Sequence, residues 1–218
     1  MTKSVLFYRS KYKKLERDIK KFLNAQPTFM SLKTVSSTRA IGDAVQELLA
    51  ENFKIIAGDI VTKYNAVFAR RAMADLAFED KDGFYYVIDV STHNIETHFN
   101  MPNITSVERL TRFYEDDRNY FVLLAVAYSL KGRRVVVKNV HFVPIEFLSW
   151  DCLTIGALGW GQIQIANSNR IVIREQNRRK WMIEFCDTML QFYPAEIDKT
   201  RKRISYFKKV KRFWQSKK

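Results

Sequence analysis

The pattern of apolar and polar positions along the chain predicts a mixed α/β protein. Apolar residues recur every three or four positions over residues 3–23, about 39–53 and 176–192, which is typical of amphipathic helices. Residues 74–94 and 121–142 instead carry short runs rich in β-branched and aromatic residues, which indicate strands. We therefore expect a central mixed sheet flanked by helices.

Two adjacent apolar runs supply the middle of this predicted sheet. Residues 121–128 are almost continuously apolar, as expected for a strand buried on both faces. A turn over 131–133 leads into the β-branched run 134–142, so we expect the two runs to pair as a hairpin. Residues 106–113 are predicted to begin a connecting helix, and the helix near 39–53 should be capped by residue 36, 37 or 38.

The segment 74–94 predicts a second hairpin that brings two aspartates together. Asp75 precedes a short apolar run, and Gly83 supplies the positive φ that closes a three-residue loop, 81–83. This loop places Asp75 directly opposite Asp89, and Ser91 follows on the same face because side chains alternate along a strand.

Two carboxylates that converge in this way are predicted to bind a divalent cation. Like charges at close range disfavour joint ionisation, and Mg²⁺ is commonly held by one or two carboxylates with phosphate oxygens and water. Aspartates beside a turn are also often solvated or form part of the turn. The spacing alone leaves both interpretations open.

Residues 89–110, DVSTHNIETHFNMPNITSVERL, extend the second aspartate into a longer motif. This segment resembles the active-site segment of type II restriction endonucleases of the PD-(D/E)XK superfamily, specifically the HincII/EcoRV-type blunt cutters. The family pattern is Asp-Val-Lys-Thr-Arg-Asn-Ile, then Pro-Asn-Ile, Ser and Leu. The positions that match it without a gap are Asp89, Val90, Thr92, Asn94, Ile95, Pro102, Asn103, Ile104, Ser106 and Leu110. A weaker match covers 160–164, and the order of elements agrees over about 39–207.

The resemblance implies the fold and activity of that family. It implies a PD-(D/E)XK core. Length, composition and apolar spacing predict a single domain, 1–218, with the N-terminal helix 3–23 and the basic tail 199–218 as appendages. It also implies Mg²⁺-dependent hydrolysis of phosphodiester bonds in double-stranded DNA, at a palindromic site and with blunt ends. A homodimer matches a palindrome because both have twofold symmetry.

The same resemblance assigns the metal ligands and exposes one departure. Asp75, Asp89 and the Val90 carbonyl are expected to hold the metal. The family has lysine two residues after the second aspartate, where this chain has Ser91. A hydroxyl orients water but carries no charge, so another lysine or a second metal would have to supply the positive charge.

The helix before the hairpin carries a glutamate near the metal in this family. Gln46 occupies that position by spacing, and we treat it as the candidate catalytic residue, with Glu47 as the alternative. Both are also ordinary residues of a helix surface, which remains an open interpretation.

Two separate segments are expected to recognise DNA. The candidate contacts are His93, Asn100, Asn103, Trp160, Gln162, Gln164 and Asn167. Asparagine and glutamine amides pair with adenine in the major groove. His93 occupies the place of a family arginine and is expected to contact phosphate. A structural role for His93 and a glycine-rich bend around 156–161 remain alternatives.

Charge and composition agree with a polyanionic partner. The chain has 37 Lys and Arg against 23 Asp and Glu, a net charge of +14. The tail 199–218 has only basic charges, interleaved with aromatics, which suits DNA phosphates or an anionic membrane surface. The basic outer face of helix 3–23, and Arg70 and Arg71, are further candidate phosphate contacts, with surface ion pairing as the alternative.

The remaining features favour a cytoplasmic bacterial protein with no membrane partner and no small-molecule substrate. No apolar run approaches the length of a membrane span, and two cysteines are too few for a disulfide framework, so buried thiols are expected. Two other functions stay open. Ser91 and Gln46 suggest a DNA-binding protein that has lost catalysis, and the tail alone suggests a membrane-surface protein.

Overall fold

The computed structural model describes residues 3–26, 37–65, 75–132 and 134–217, in two compact units. The first unit spans Met1–Glu175 and the second spans Gln176–Lys218. The first is built from helices and a mixed sheet, which confirms the predicted mixed α/β class. The prediction that 1–218 forms a single domain remains a prediction.

The helices and strands of both units are numbered here in chain order. They are α1 Val5–Tyr8, α2 Tyr12–Ala25, α3 Thr38–Ala57, β1 Lys63–Asn65, β2 Leu76–Glu79, β3 Tyr85–Asn94, β4 Asn103–Ser106, α4 Val107–Phe113, β5 Asn119–Lys131, β6 Arg134–Pro144, β7 Leu153–Gly156, β8 Gln162–Ile165 and α5 Arg178–Gln215. Short 3₁₀ turns occupy Gly58–Ile60, Ile145–Phe147, Trp150–Cys152 and Ser168–Arg170.

The main sheet has the strand order β1-β2-β3-β5-β6. Strands β3 and β5 are parallel, and the other neighbours are antiparallel. The connection between the parallel strands contains the predicted helix α4, whose first turn is capped by Ser106. The predicted β5–β6 hairpin is also present. A smaller antiparallel sheet has the order β4-β8-β7.

The β2–β3 hairpin has the predicted register. Leu76 pairs with Ile88 and Glu79 with Tyr85, which is the register that the three-residue loop predicts. Asp75 lies just outside β2, and its amide donates to the carbonyl of Ile88 at 3.0 Å. The two predicted metal ligands are therefore brought together at the point where β2 begins.

The turn of this hairpin is held by one buried carboxylate. Asp80 pairs with Phe84 through a 3.1 Å backbone bond, which leaves a three-residue loop closed by Gly83 at φ 75°. Asp80 Oδ1 accepts the amides of Asp82 and Phe84, and its Oδ2 accepts the Tyr86 hydroxyl at 2.6 Å. These bonds fix the loop length and hence the register.

The N-terminal prediction requires correction. The expected continuous helix 3–23 is two helices, because the chain turns at Ser10, whose φ is 56°. Nor is the longer helix an appendage, since α2 packs on β6 and buries one whole side. The buried residues of that side are Tyr12, Leu15, Ile19 and Leu23.

Helix α3 follows the predicted pattern closely. Ser37 is the cap, and its hydroxyl accepts the amide of Ala40 at 3.3 Å. The apolar side of the helix is buried, and Phe53 stacks into an aromatic cluster on the sheet with Phe78 and Phe142. This packing fixes the helix against the hairpin that carries the aspartates.

The second unit is one long helix. The helix α5 contains most of the predicted helix 176–192 and most of the predicted tail 199–218, and it continues through Pro194. The prediction of two buried thiols is half right, because Cys152 is buried and Cys186 is exposed. Among the described residues, no helix combines the length and apolarity that crossing a bilayer requires.

Candidate metal and nucleic-acid site

The site is organised by the two opposed aspartates. Asp75 Oδ2 accepts the backbone amide of Val90 at 2.7 Å, which ties the start of β2 to the middle of β3. Burial raises the pKa of Asp89 well above its usual range, and the negative charge of Asp75 raises it further. A cation between the two carboxylates would offset both costs.

Helix α3 contributes a third polar group. Gln46 Nε2 donates to the Val90 carbonyl oxygen at 3.2 Å, so the side chain contacts an atom predicted to bind metal. One turn earlier, Gly42 approaches β3 so closely that an added Cβ would lie 3.0 Å from Thr92 Oγ1. Glu47 is exposed on the same helix, so of the two candidates Gln46 is the one that contacts the site.

The available donors suit a hard cation. They are two carboxylates, the Val90 carbonyl and, after rotation of its amide, the Gln46 oxygen. Across the described residues, no group of three or more His, Cys, Asp and Glu side chains is arranged to hold a metal. Mg²⁺ needs no such group, because one or two carboxylates with waters and phosphate oxygens suffice.

A cavity of about 230 Å³ is lined by Ser91, which lies two residues after Asp89 and on the same face of β3. Ser91, Ala125 and His141 form one row across β3, β5 and β6, and the alanine methyl in the middle leaves the space open. The lining residues are Ser91, His93, Ile95, Ala125, Val126, Ala127, Lys138, Asn139, His141, Ile165, Ser168, Asn169 and Ile171.

A β-bulge directs a lysine to this cavity. Ala127 pairs with Asn139 and Tyr128 pairs with Val137, so Lys138 is an extra residue in β6. Regular alternation would put Lys138 and Asn139 on opposite faces, whereas the bulge lets both line the cavity. Lys138 was not predicted as a site residue, since the β-branched run around it gives no sign of an inserted residue.

The two predicted DNA-recognition segments form a single surface. Asn103 on β4 pairs with Gln164 on β8, and Gln164 Nε2 donates to Asn103 Oδ1 at 2.6 Å. Gln162 lies two residues away and shares this face. Gly156 passes so close to Gln164 that an added Cβ would lie 2.8 Å from Gln164 Oε1. The expectation of two separate elements is therefore wrong.

Three other candidates are engaged in local structure. His93 is buried, with Nε2 2.7 Å from Asn169 Oδ1, and Asn100 Nδ2 lies 3.5 Å from its Nδ1. Asn167 Oδ1 accepts the amide of Asn169 at 3.0 Å and so forms a turn. These contacts favour the structural role that the sequence left open for His93. DNA contacts by these three residues remain predictions.

Trp160 stands at the glycine-rich turn between β7 and β8. It is exposed, and the Arg112 guanidinium lies 6.0 Å from its ring centroid. An aromatic ring beside an arginine is a common nucleic-acid contact. Arg70 and Arg71, also proposed as phosphate contacts, lie outside the described residues.

Comparison with known proteins adds no assignment. No protein-family model matches the chain, and no curated protein matches it significantly.

Proposed function

We propose that the protein is a homodimeric, Mg²⁺-dependent type II restriction endonuclease that cuts a palindromic DNA site and leaves blunt ends. The observation that carries the proposal is the convergence of Asp75 and Asp89, with the Asp75 carboxylate accepting the Val90 amide. The resemblance in sequence predicts Asp75, Asp89 and the Val90 carbonyl as metal ligands, and the hairpin register supports this proposal by bringing the two aspartates close together.

The arrangement of elements also supports a PD-(D/E)XK core. Helix α3 precedes the β2–β3 hairpin, and α4 connects β3 to the parallel strand β5. The resemblance implies this order of helix, catalytic hairpin and further strands. Gln46, which stands at the family's glutamate position, contacts the Val90 carbonyl on β3, as expected for a residue near the metal.

In the proposed reaction, the metal ligands, Ser91 and Lys138 have separate roles. When bound, Mg²⁺ would lower the pKa of an attacking water and stabilise the charge that develops on the phosphate. Asp75, Asp89 and Val90 would hold it, and Ser91 would orient the water through a hydrogen bond. Lys138 would supply the positive charge that Ser91 lacks, since both side chains line one cavity.

Recognition is proposed to involve the shared face of β4 and β8. Asn103, Gln162 and Gln164 present amide groups there, and such groups discriminate adenine in the major groove. The net charge of +14 provides the attraction to phosphates that carries no sequence information. Two copies of this face would address the two halves of a palindrome.

The test is cleavage of supercoiled plasmid DNA with Mg²⁺ or with EDTA, followed by sequencing of the ends. The wild-type protein is expected to give discrete DNA fragments in Mg²⁺ and no cleavage in EDTA. Asp75→Ala and Asp89→Ala should abolish cleavage and keep DNA binding, because each removes a metal ligand. Asp82→Ala, at the exposed far end of the same hairpin, is the matched control and should cleave normally. Full activity in either ligand variant would exclude the proposed metal site.

The second candidate is a sequence-specific DNA-binding protein on the same fold without catalysis. It is favoured by the uncharged Ser91 and by the Gln46 nitrogen that faces the Val90 carbonyl, where a metal ligand would need an oxygen. Sequence-selective binding with no cleavage under any divalent cation would support this candidate over the first.

A further inference from the structure

The long helix α5 carries a regular stripe of exposed apolar side chains. Its apolar members are Ile183, Leu190, Tyr193, Ile197, Ile204, Phe207 and Trp214, each between 38% and 71% exposed. Cys186, Thr200 and Lys211 complete the alternating spacing of three and four residues. This is the heptad spacing of a two-stranded coiled coil, and we call these ten residues the α5 stripe.

An exposed stripe of this length carries a free-energy cost. Soluble monomers rarely expose contiguous apolar patches larger than a few hundred Å² (about 300–600 Å² for the largest). Leu190, Phe207 and Trp214 are among the most exposed large apolar residues in the described chain. Covering them would remove apolar area from water along the whole helix.

The charges of α5 indicate what covers the stripe. Residues 181–198 contain acidic but no basic side chains, namely Glu184, Asp187, Glu196 and Asp198. Residues 199–217 contain only basic charges. A second copy laid antiparallel puts the acidic half of one helix against the basic half of the other. We propose that α5 pairs with α5 of a second copy of this chain in an antiparallel coiled coil.

The heptad spacing defines a self-complementary register. With the twofold axis between Ile197 and Thr200, Leu190 lies opposite the partner's Phe207, and Tyr193 lies opposite the partner's Ile204. The ends then match as well, since Ile183 meets the partner's Trp214. Each contact is repeated by symmetry, as an interface between identical copies requires.

The flanking positions agree with the same register. Asp187 approaches the partner's Lys208, and Glu196 approaches the partner's Arg203, so both flanking pairs have opposite charge. A parallel pair would instead align the basic halves with each other. The acidic half also disfavours an anionic membrane or DNA as a partner for the full length of the stripe.

The α5 coiled coil goes beyond the proposed endonuclease activity. That activity needs two copies of the chain, but it does not require them to contact each other through α5. The first test is therefore sedimentation of the full chain without DNA. Wild type is expected to be a dimer, and Leu190→Glu and Phe207→Glu should each raise the dissociation constant roughly tenfold or more. Ser205→Glu, on the outward side of α5, is the matched control and should remain dimeric.

Circular dichroism separates lost pairing from lost folding, because these exposed substitutions should leave the helical signal of the chain intact. A monomeric wild type, or stripe variants that stay fully dimeric, would overturn the proposal. Stripe variants that weaken DNA binding without changing mass would also overturn it and assign the stripe to nucleic acid.

The second test distinguishes antiparallel from parallel pairing by disulfide formation. In the antiparallel register the native Cys186 faces the partner's Lys211, so Lys211→Cys should form a covalent dimer under mild oxidation. Lys209→Cys, which points outward, should not, and Cys186→Ser should abolish the link in the Lys211→Cys protein. A wild-type dimer linked through Cys186 itself would show parallel pairing and refute the register. The outcome does not depend on cleavage, so it stands apart from the test of the endonuclease.

Discussion

Gln46 donates its side-chain amide to the Val90 carbonyl oxygen at 3.2 Å. The contact joins α3 to the strand that carries Asp89, and it uses an oxygen that we assign to metal binding. An amide nitrogen and a cation compete for that oxygen, so the amide must rotate, or the bond must break, when metal binds. The identity of residue 46 should therefore control metal affinity.

We expect Gln46→Glu to bind Mg²⁺ more tightly, because it adds a third carboxylate to the donor set. The concentration of Mg²⁺ needed for half-maximal cleavage should fall about tenfold, since ligand charge sets affinity for hard cations. Glu47→Gln, one residue along the same helix, is the control and should change nothing. An unchanged Mg²⁺ requirement in Gln46→Glu would remove residue 46 from the site.

Asp89→Asn should stabilise the metal-free protein while it abolishes cleavage. The native carboxyl is half-buried beside Asp75, so at a pH at which it is ionised, removal of its charge relieves both desolvation and repulsion. A gain on the order of 1 kcal/mol corresponds to about 2–4 °C in Tm for a chain of this size. Thermal melts in EDTA and in Mg²⁺ measure both effects. Loss of stability in EDTA would contradict the buried carboxylate pair.

Lys138→Met should lower the cleavage rate about a hundredfold, which is typical when one charge that stabilises a transition state is lost. Binding of uncleaved DNA in Ca²⁺ should change little, and Lys138→Arg should recover part of the rate. Lys131→Met, at the far end of β5, is the matched control. Equal losses of binding and cleavage would make Lys138 an ordinary phosphate contact.

Asn103→Ala and Gln164→Ala should each reduce binding to the target by about 1–3 kcal/mol relative to random DNA. Because Gln164 donates to Asn103, the two losses should not add, with a coupling of about 0.5–3 kcal/mol in a double-mutant cycle. Competition titrations at fixed salt give these values. Equal losses on target and random DNA would show that the pair supports the fold instead.

Glu16→Gln tests the packing of α2 on β6. Glu16 accepts the Phe142 amide at 2.8 Å, and burial raises its pKa above the usual 4.5, although Lys13 and Arg17 oppose the shift. A raised folded-state pKa means that wild type loses stability as pH rises from about 4.5 through that pKa. The variant does not titrate there. The stability of Glu16→Gln relative to wild type should therefore increase between pH 4 and pH 7. Urea denaturation at each pH measures the free energy of unfolding of both proteins. A difference in this free energy that stays constant with pH would contradict the burial of Glu16.

Local patterns were sufficient to predict much of the fold. The loop closed by Gly83 set the hairpin register and therefore the approach of Asp75 to Asp89. Ser37, one of the three predicted cap residues, caps α3 because its hydroxyl reaches an amide three residues ahead. These features depend on a few neighbouring residues, which is why sequence alone predicts them.

Features that depend on distant contacts were not predictable. The bulge at Lys138 is set by pairing between β5 and β6, and no residue type marks it. The contact of Gln164 with Asn103 joins segments 61 residues apart, so they were predicted as two elements. Helices α1 and α2 separate at Ser10, where apolar spacing alone gives no warning.

The β2–β3 hairpin also has a consequence for how the protein folds. Its contacts are close in sequence, and the bonds made by Asp80 are local, so the loop-closure entropy is small. Isolated hairpins form in about 1–10 μs. The parallel pairing of β3 with β5 is expected to form much more slowly, because the long connection between these strands must be ordered first. The two aspartates should therefore meet early, while water still surrounds them. Their repulsion is then weakest, and its full cost arises only when the helices close over the sheet.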